Sequence, residues 1–498
     1  MAENGMTRKD TRLGNIQGKS IGNIQAFFGI RFGQAPVGPL RFKASIAAGP
    51  WTEETYDATS PRHCAMQPPR IDFFKENSRR INVEPTYDED CLFLNIYTPS
   101  ADSKKRPVLF WIHGGSYVTG SGYEYDGRVL AEQGDVLVVT VNYRLGLLGF
   151  LDLSEFGEDY RGSASNGIAD QILGLEWVRD NIADYGGDPE NVTLFGESAG
   201  AGSVNGILGA PRADGLYHRA IAHSGNAAAT PPTSIAPVLA NHLQISPEQL
   251  PVKLAGMRAD EIIAMQIATG TGGSLSVDGT VITRPTVQAI AERGRQGVPY
   301  IAGSNANEGT LFTLLMPGND ETYEQAARHI ATLALNGADP QRYLAALKAH
   351  YPDLSSQSRY ELVWNDLLRR ASIYLAEAAS AAGPGGWLYR FDMPTNIADG
   401  KQGATHASEI AFTFNTFADA QAGGIVMHDR EDPAVLKLAE QWSQTVLNFA
   451  KTGDPNGGGL PAWPRYDDST RVSLVLDAES WLADAALDEV HRGLWVTA

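Results

Sequence analysis

Cysteine is nearly absent: Cys64 and Cys91 are the two in 498 residues, too few for a disulfide-dense scaffold or a cysteine metal site. Taken alone they read as two buried thiols or as one staple. No apolar run reaches the roughly 18 residues of a membrane span. The most apolar stretches, 107–112 and 136–151, are interrupted by Asn142, Arg144 and glycines. Positive charge is scarce, with 40 Lys and Arg against 58 Asp and Glu, and the net charge of −18 repels phosphate backbones and anionic lipid surfaces. Nucleic acid is therefore not an expected partner. A dinucleotide Gly-x-Gly-x-x-Gly is missing, as is a His/Cys metal cluster, and the lone Gly-Lys-Ser at 18–20 has Leu13 where a P-loop needs its first glycine. No cofactor and no metal are expected. Residues 1–13 carry Glu3, Arg8, Lys9, Asp10 and Arg12 without an apolar segment, so they do not read as a signal peptide. The expectation is a cytoplasmic protein or a mature form lacking its leader.

What is present is a packed globular composition, 43% hydrophobic, 20% charged and 9% aromatic, which excludes disorder, collagen and coiled coil. The length suits about three domains or one enlarged α/β domain. Residues 91–97 and 107–112 are β-rich runs around a polar loop; 136–141 is an unbroken Val/Leu/Thr run, and 191–195 resembles it. Such runs fit strands buried on both faces of a parallel sheet. Between them Ile168, Ile172, Leu175, Val178 and Ile182 recur every three or four residues, predicting an amphipathic helix closed by Gly186 and Gly187. Strand, helix, strand predicts a mostly parallel central sheet flanked by helices. Helical patterns at 326–350, 358–382 and 433–452 and strand-like runs at 299–302, 387–391 and 472–476 fill the later half. The additional helices, roughly within 230–390, are expected to cap the C-terminal edge of the sheet, where open α/β sheets bind ligands. An echo of Gly-Asn-Ile-Gln at 14–17 and 22–25 predicts a hairpin.

Gly196-Glu197-Ser198-Ala199-Gly200 follows the buried run 192–195 and opens a helical pattern. A turn of this kind pushes the serine hydroxyl out of the sheet edge, and its glycines avoid collisions with neighbouring backbone. The helix N-terminus adds partial positive charge for a developing oxyanion. Gly18-Lys19-Ser20-Ile21-Gly22 also matches Gly-x-Ser-x-Gly, but no buried strand precedes it. Ser198 is the candidate nucleophile and Ser20 a chance match. A serine needs a base within hydrogen-bond reach and a carboxylate to orient that base. Ten histidines are available, and spacing alone does not choose among them.

The motifs 89–95 (Glu-Asp-Cys-Leu-Phe-Leu-Asn), 142–146 (Asn-Tyr-Arg-Leu-Gly), Asp170-Gln171, 186–189 (Gly-Gly-Asp-Pro) and 195–200 resemble type-B carboxylesterases of the α/β-hydrolase fold, the family that includes the cholinesterases. The likeness extends to both ends, through 39–42 and 50–51, and through 448–450, 453–455 and 463–464. It implies a single large α/β-hydrolase domain over 1–498 with inserted cap or gorge helices. His406, in Thr-His-Ala-Ser-Glu at 405–409, matches the family's base, and Glu308, in Asn-Glu-Gly at 307–309, matches its acid. The order Ser198, Glu308, His406 is that of the fold. His113 and His223 read as structural. Ser224 and Glu409 match positions that support the triad, and Gly115, Ser116 and Ala199 match the oxyanion donors. Ser116 stands where a third glycine is common, so crowding near the acyl group is expected. The resemblance pairs Cys64 with Cys91 in a disulfide, which favours a secreted or periplasmic location over a cytoplasmic one. It also pairs Arg41 with Glu89 and Arg144 with Asp170 as structural ion pairs.

The implied activity is hydrolysis of carboxylic esters through an acyl-enzyme, without a cofactor, on a small-molecule substrate. An amidase, carbamate hydrolase or lipase would use the same triad; a non-catalytic binding protein on this fold is the reading the intact triad disfavours. Between the cysteines no tryptophan stands ready to hold a quaternary ammonium, so choline esters are not expected. The same stretch carries Arg70, Lys75, Arg79 and Arg80, cations that would attract esters bearing a free carboxylate. The sequon at Asn191 falls on the strand feeding the nucleophile turn and is not expected to be glycosylated. Substrate size and oligomeric state are not legible in the sequence.

Overall fold

The computed structural model describes residues 5–69, 71, 78–79, 84–335 and 339–497. Its centre is a twisted sheet built from β1 (Gly5–Thr11), β2 (Gly14–Ile21), β3 (Ile24–Arg31), β4 (Phe93–Thr98), β5 (Arg106–Ile112), β6 (Leu137–Val141), β7 (Gly187–Glu197), β8 (Arg219–His223), β9 (Tyr300–Asn305), β10 (Gly386–Phe391), β11 (Ser473–Leu476) and β12 (Trp481–Ala483). The strand order is β1-β2-β3-β4-β6-β5-β7-β8-β9-β10-β11-β12. From β6 to β11 neighbours run parallel, and antiparallel strands close both edges. The echoed Gly-Asn-Ile-Gln segments lie on β2 and at the β2–β3 turn, the expected hairpin.

The parallel strands read as continuous apolar runs because both of their faces are covered. Period-two alternation sorts their side chains into two cores. Val108, Phe110 and Ile112 of β5 join a cluster on one face, with α2 (Asn166–Asn181), α3 (Ala199–Leu208) and α10 (Ser356–Ala382). Leu109 and Trp111 point the other way, to α1 (Arg128–Gly134) and α11 (Pro433–Thr452). Each fully buried Val, Leu or Ile contributes about 2 kcal/mol relative to exposure. Between residues 230 and 390 the chain adds helices around the sheet and contributes two of its strands, β9 and most of β10. Helices α4 (Ala236–Leu243), α5 (Leu250–Gly256) and α6 (Ala259–Thr269) pack as a satellite on Leu147, Leu148, Leu151 and Leu153. Strand β9 belongs to the parallel block, and α10 lies across β9 and β10. Helices α7 (Gly309–Leu315), α8 (Asp320–Leu335) and α9 (Pro340–His350) follow β9, and the last helix, α12 (Glu489–Thr497), docks on α9.

The helix expected at 168–185 is α2 followed by a tight 3₁₀ turn, Ile182–Tyr185, and it is not amphipathic. Asn166, Asp170, Gln171 and Asn181 are buried along with its apolar residues. The polar positions are inside because each has a partner there. Asp170 binds Arg144 at 2.7 Å and its backbone N–H at 3.0 Å, and Gln171 donates to Ser203 at 3.1 Å. Arg41 and Glu89 form the second expected pair, at 2.5 Å. Removing one partner from a buried pair such as Arg144–Asp170 costs about 3–5 kcal/mol, since the other charge is left stranded.

The expected disulfide is not formed: Cys64 and Cys91 are both free thiols and both buried. The Cys64 sulfur is engaged with Ser121 Oγ at 3.2 Å. Burial, with the Asp170 charge beside it, holds the Cys91 thiol far above its ordinary pKa, which disfavours the thiolate that disulfide chemistry needs. The pairing therefore lends no support to an oxidising compartment. Of the basic stretch, Arg70, Lys75 and Arg80 lie outside the described residues. Among the described residues no helix is long and apolar enough to cross a membrane.

Candidate active site

Strand β7 carries the chain to Glu197, and Ser198 follows with φ 56° and ψ −123°, outside the regions that L-residues ordinarily adopt. The strain is held from both sides. The Ser198 N–H donates to the His223 carbonyl on β8 at 2.9 Å, and the Ser198 carbonyl accepts from Gly202 N–H at 2.8 Å, in the first turn of α3. A Cβ at Gly196 would stand 2.6 Å from Gly200 backbone, and one at Gly200 would stand 2.0 Å from the Ile112 carbonyl oxygen. Both glycines are thus required by close approach. Ser20, by contrast, sits within the β1–β2–β3 meander, paired with Gly5 and Gln25.

Beyond β9, Glu308 is fully buried. One carboxylate oxygen accepts from Ser224 Oγ at 2.6 Å and from Asn305 N–H at 2.7 Å; the other lies 2.6 Å from His406 Nδ1. Asn305 also ties in Glu409. Its side-chain amide donates to Glu409 Oε2 at 2.7 Å and to the Thr405 carbonyl at 2.7 Å, so one residue spans the acid, the base loop and the second carboxylate. On its other nitrogen, His406 Nε2 lies 3.1 Å from Glu197 Oε1. The ring packs against Phe312, itself stacked on Trp364.

Electrostatics follow from three buried carboxylates around one imidazole. Burial, with the charges of Glu409 and Glu308, raises Glu197 far above the usual carboxylate range. Burial likewise raises Glu409 to about 7, the Glu308 charge adding to it. Burial opposes charge on His406, but Glu197 and Glu308 overcome that and raise its pKa. The two groups lie 3.1 Å apart, so burial raising the Glu197 carboxyl and the carboxylates raising the His406 imidazole act on one contact. His113 and His223 behave otherwise: burial alone lowers them, to about 4 and about 3, so both are neutral.

The third part is the loop after β5. Gly115 has φ 108°, and a Cβ there would lie 2.2 Å from the Thr119 carbonyl oxygen; Ser116 and Tyr117 follow in the left-handed region at φ 55° and 60°. Ser198, His406, Gly114, Gly115 and Ser116 all open on one cavity of about 360 Å³, walled by Val118, Tyr125, Leu311, Phe312, Leu315 and Ile425. That volume is within the range of small-molecule sites. Ala199 begins α3 beside it.

The residues expected from the sequence thus meet here, apart from the cysteines: Cys64 touches Ser121 behind the glycine loop, and Cys91 lines a separate small cavity. Sequence reasoning missed Glu197 and Asn305. Glu197 was in view as the variable letter of the nucleophile motif. Asn305 had one signal, an amide at the buried end of a strand just ahead of the acid.

A parallel sheet with a strained serine at a strand-to-helix turn, and an imidazole–carboxylate pair on the same cavity, defines a serine hydrolase of the α/β-hydrolase fold. The carboxylesterase family model matches residues 7–491. Para-nitrobenzyl esterase of Bacillus subtilis is 35% identical over 97% of this chain and 98% of its own. Human carboxylesterase 3 is 32% identical over 92% of this chain and 85% of its own. Among solved structures, a carboxylesterase of Geobacillus stearothermophilus superposes with a TM-score of 0.84 at 33% identity, covering 98% of this chain and all of that one. The chain belongs to the carboxylesterase family and is a serine hydrolase of carboxylic esters.

Proposed function

We propose that Ser198 is the nucleophile, His406 the general base and then acid, and Glu308 the carboxylate that orients His406, acting on small, largely apolar esters. The observation that carries this reading is the 2.6 Å contact of Glu308 with His406 Nδ1, which leaves Nε2 as the nitrogen to take a proton, on a ring that lines the same cavity as Ser198. Ser198 attacks the ester carbonyl as His406 takes its proton; His406 returns that proton to the leaving alkoxide, and water repeats the sequence on the acyl-enzyme.

Charge on the tetrahedral oxygen needs backbone donors. In a trans peptide the C=O and N–H point in opposite directions, so a carbonyl fixed on one side aims the next N–H to the other. The Gly114 carbonyl lies 2.8 Å from His113 Nδ1; the Gly115 carbonyl accepts from Val118 and Thr119 N–H at 3.0 Å each; the Ser198 carbonyl accepts from Gly202. These bonds favour Gly115, Ser116 and Ala199 as the donors. Ser224 and Glu409 support the acid, directly and through Asn305. In this reading 1–498 is one α/β-hydrolase domain, with α4–α6 and α7–α9 as its inserted cap.

The apolar walls favour apolar acyl and alcohol groups, and the para-nitrobenzyl esterase relative makes para-nitrobenzyl esters the first substrates to try. The test is mass spectrometry after reaction with a fluorophosphonate. One adduct per chain on Ser198, lost in Ser198→Ala along with esterase activity, is the expected result. An adduct elsewhere, or activity surviving in Ser198→Ala, overturns the assignment.

A further inference from the structure

The loop that ends at Gly120 is fastened by a side chain from far upstream. Gln67 is half-buried at the cavity wall. Its carboxamide reads both backbone groups of Gly120: Nε2 donates to the Gly120 carbonyl at 3.0 Å, and Oε1 accepts from the Gly120 N–H at 2.9 Å. A further Nε2 donation, to the Ala65 carbonyl at 3.0 Å, fixes the amide's orientation, because a carbonyl accepts and does not donate. Gln67 thus pairs with Gly120 as an adjacent strand would.

Gly120 is not an arbitrary attachment point. A Cβ there would stand 2.5 Å from His113 Nδ1 and 2.6 Å from the Gly114 carbonyl oxygen, so its backbone lies directly over the bond between those two atoms. The His113 ring is held on its other side by Tyr143, stacked at 4.4 Å, whose hydroxyl donates to the His113 carbonyl at 2.8 Å. A carbonyl oxygen only accepts, so at 2.8 Å His113 Nδ1 carries the proton that the Gly114 carbonyl takes. Gly120 is therefore the cover of a bond that aims the Gly115 N–H.

We infer that Gln67 is a positioning residue for ester hydrolysis: by gripping Gly120 it holds the His113–Gly114 bond closed and keeps the Gly115 N–H trained on the developing oxyanion. The inference rests on the assignment of Gly115 as an oxyanion donor. Gln67 needs no contact with the substrate. Its effect passes through the fixed direction of one peptide, and a donor tilted out of line is weakened most when the oxygen carries full charge.

The experiment uses Gln67→Met, which keeps the volume and removes both polar atoms, and Gln67→Glu, which keeps an acceptor for the Gly120 N–H but sets a carboxylate against the Gly120 and Ala65 carbonyls. Rates are taken per active site titrated with a fluorophosphonate, so unfolded chains are not counted. Affinities are measured for a trifluoromethyl ketone, which forms a charged hemiketal on the serine, and for the matching alcohol, which does not. In Gln67→Met kcat should fall about tenfold to a hundredfold, less than the loss of a whole donor, with KM within about threefold. Gln67→Glu should fall further. Ketone affinity should drop by the same factor as kcat/KM while alcohol affinity holds. Unchanged kcat and ketone affinity overturn the inference, and so does an equal loss of ketone and alcohol affinity, which marks general loosening of the site. If the wild-type enzyme binds the ketone no more tightly than the alcohol, the oxyanion assignment itself fails and the role of Gln67 falls with it.

Discussion

Among the described residues two histidine–carboxylate pairs share nearly the same geometry. His406 Nδ1 lies 2.6 Å from Glu308, and His491 Nδ1 lies 2.7 Å from Asp366. What separates them is the other nitrogen. His491 Nε2 is 3.2 Å from the Tyr351 hydroxyl, and Asp366 also accepts from the Tyr343 hydroxyl at 2.5 Å, so that pair is saturated by its own neighbours and pins α12 to α9 and α10. His406 Nε2 lies 3.1 Å from Glu197 Oε1, and its ring lines a cavity together with the strained Ser198 and the glycine loop. An imidazole–carboxylate pair is a motif of packing as readily as of catalysis. What surrounds the second nitrogen decides which.

Exchanging the two roles is the strongest way to break the comparison. His406→Ala should lower kcat/KM by about 10⁴-fold or more, since members of a triad act as a unit, while His491→Ala should leave the rate at 25 °C within about threefold. Steady-state kinetics on a para-nitrophenyl ester reads both. A large loss in His491→Ala would mean that the remote pair reaches the site after all. Gly115→Ala leaves all three triad side chains in place and should still cost about 10²- to 10³-fold in kcat, because its new Cβ meets the Thr119 carbonyl and turns the peptide. A near-normal rate would count against the loop as the oxyanion site.

A subtler change sharpens the contrast in environment. Glu197→Gln removes an anionic neighbour from His406 while keeping its shape. Removing negative charge lowers an imidazole pKa, so the acid limb of kcat/KM should move to lower pH; in the wild type it should stand above the ordinary value of about 6.5. A limb that stays put would free Glu197 of that role. The smallest expected effect belongs to His491, and it is one of stability. Burial opposes its charge, but the Asp366 bond and charge raise its pKa. Its contribution is therefore complete below about pH 6.5, the unfolded value, and fades as pH rises through the higher folded value. Chemical denaturation of His491→Ala should show a loss of about 2 kcal/mol at low pH that shrinks in alkali. A pH-independent loss would mean the ring acts through packing alone.

The sheet was legible because parallel strands buried on both faces leave continuous apolar runs, such as 137–141, that few other structures produce. The elbow was legible for a local reason, since its glycines, serine and preceding strand are adjacent in sequence. Long-range polar choices were not. Asp170 and Gln171 look by periodicity like the outer face of a helix; the Arg144 partner of Asp170 came from the family resemblance alone, and the Ser203 partner of Gln171 from the fold. Gln67 acts on the backbone of a residue 53 positions away, and backbone atoms leave no trace of identity in a sequence. The choice of His406 over His491 needed the family motif, because both have a carboxylate partner that only the fold brings close. The cysteines misled for the converse reason: a pairing that the family's pattern implies is not formed when each sulfur settles into its own surroundings.

The scatter of the site along the chain also has a consequence in time. The glycine loop and the elbow are made early, the proposed acid arrives at residue 308, and the proposed base only at residue 406. At about 5–20 residues per second, Ser198 is joined to the chain roughly 10 to 40 s before His406. A nascent chain can thus complete its nucleophile turn while remaining unable to acylate itself on passing esters. With His406 as the base, activity requires a residue that follows the long helix α10 and strand β10 in the chain.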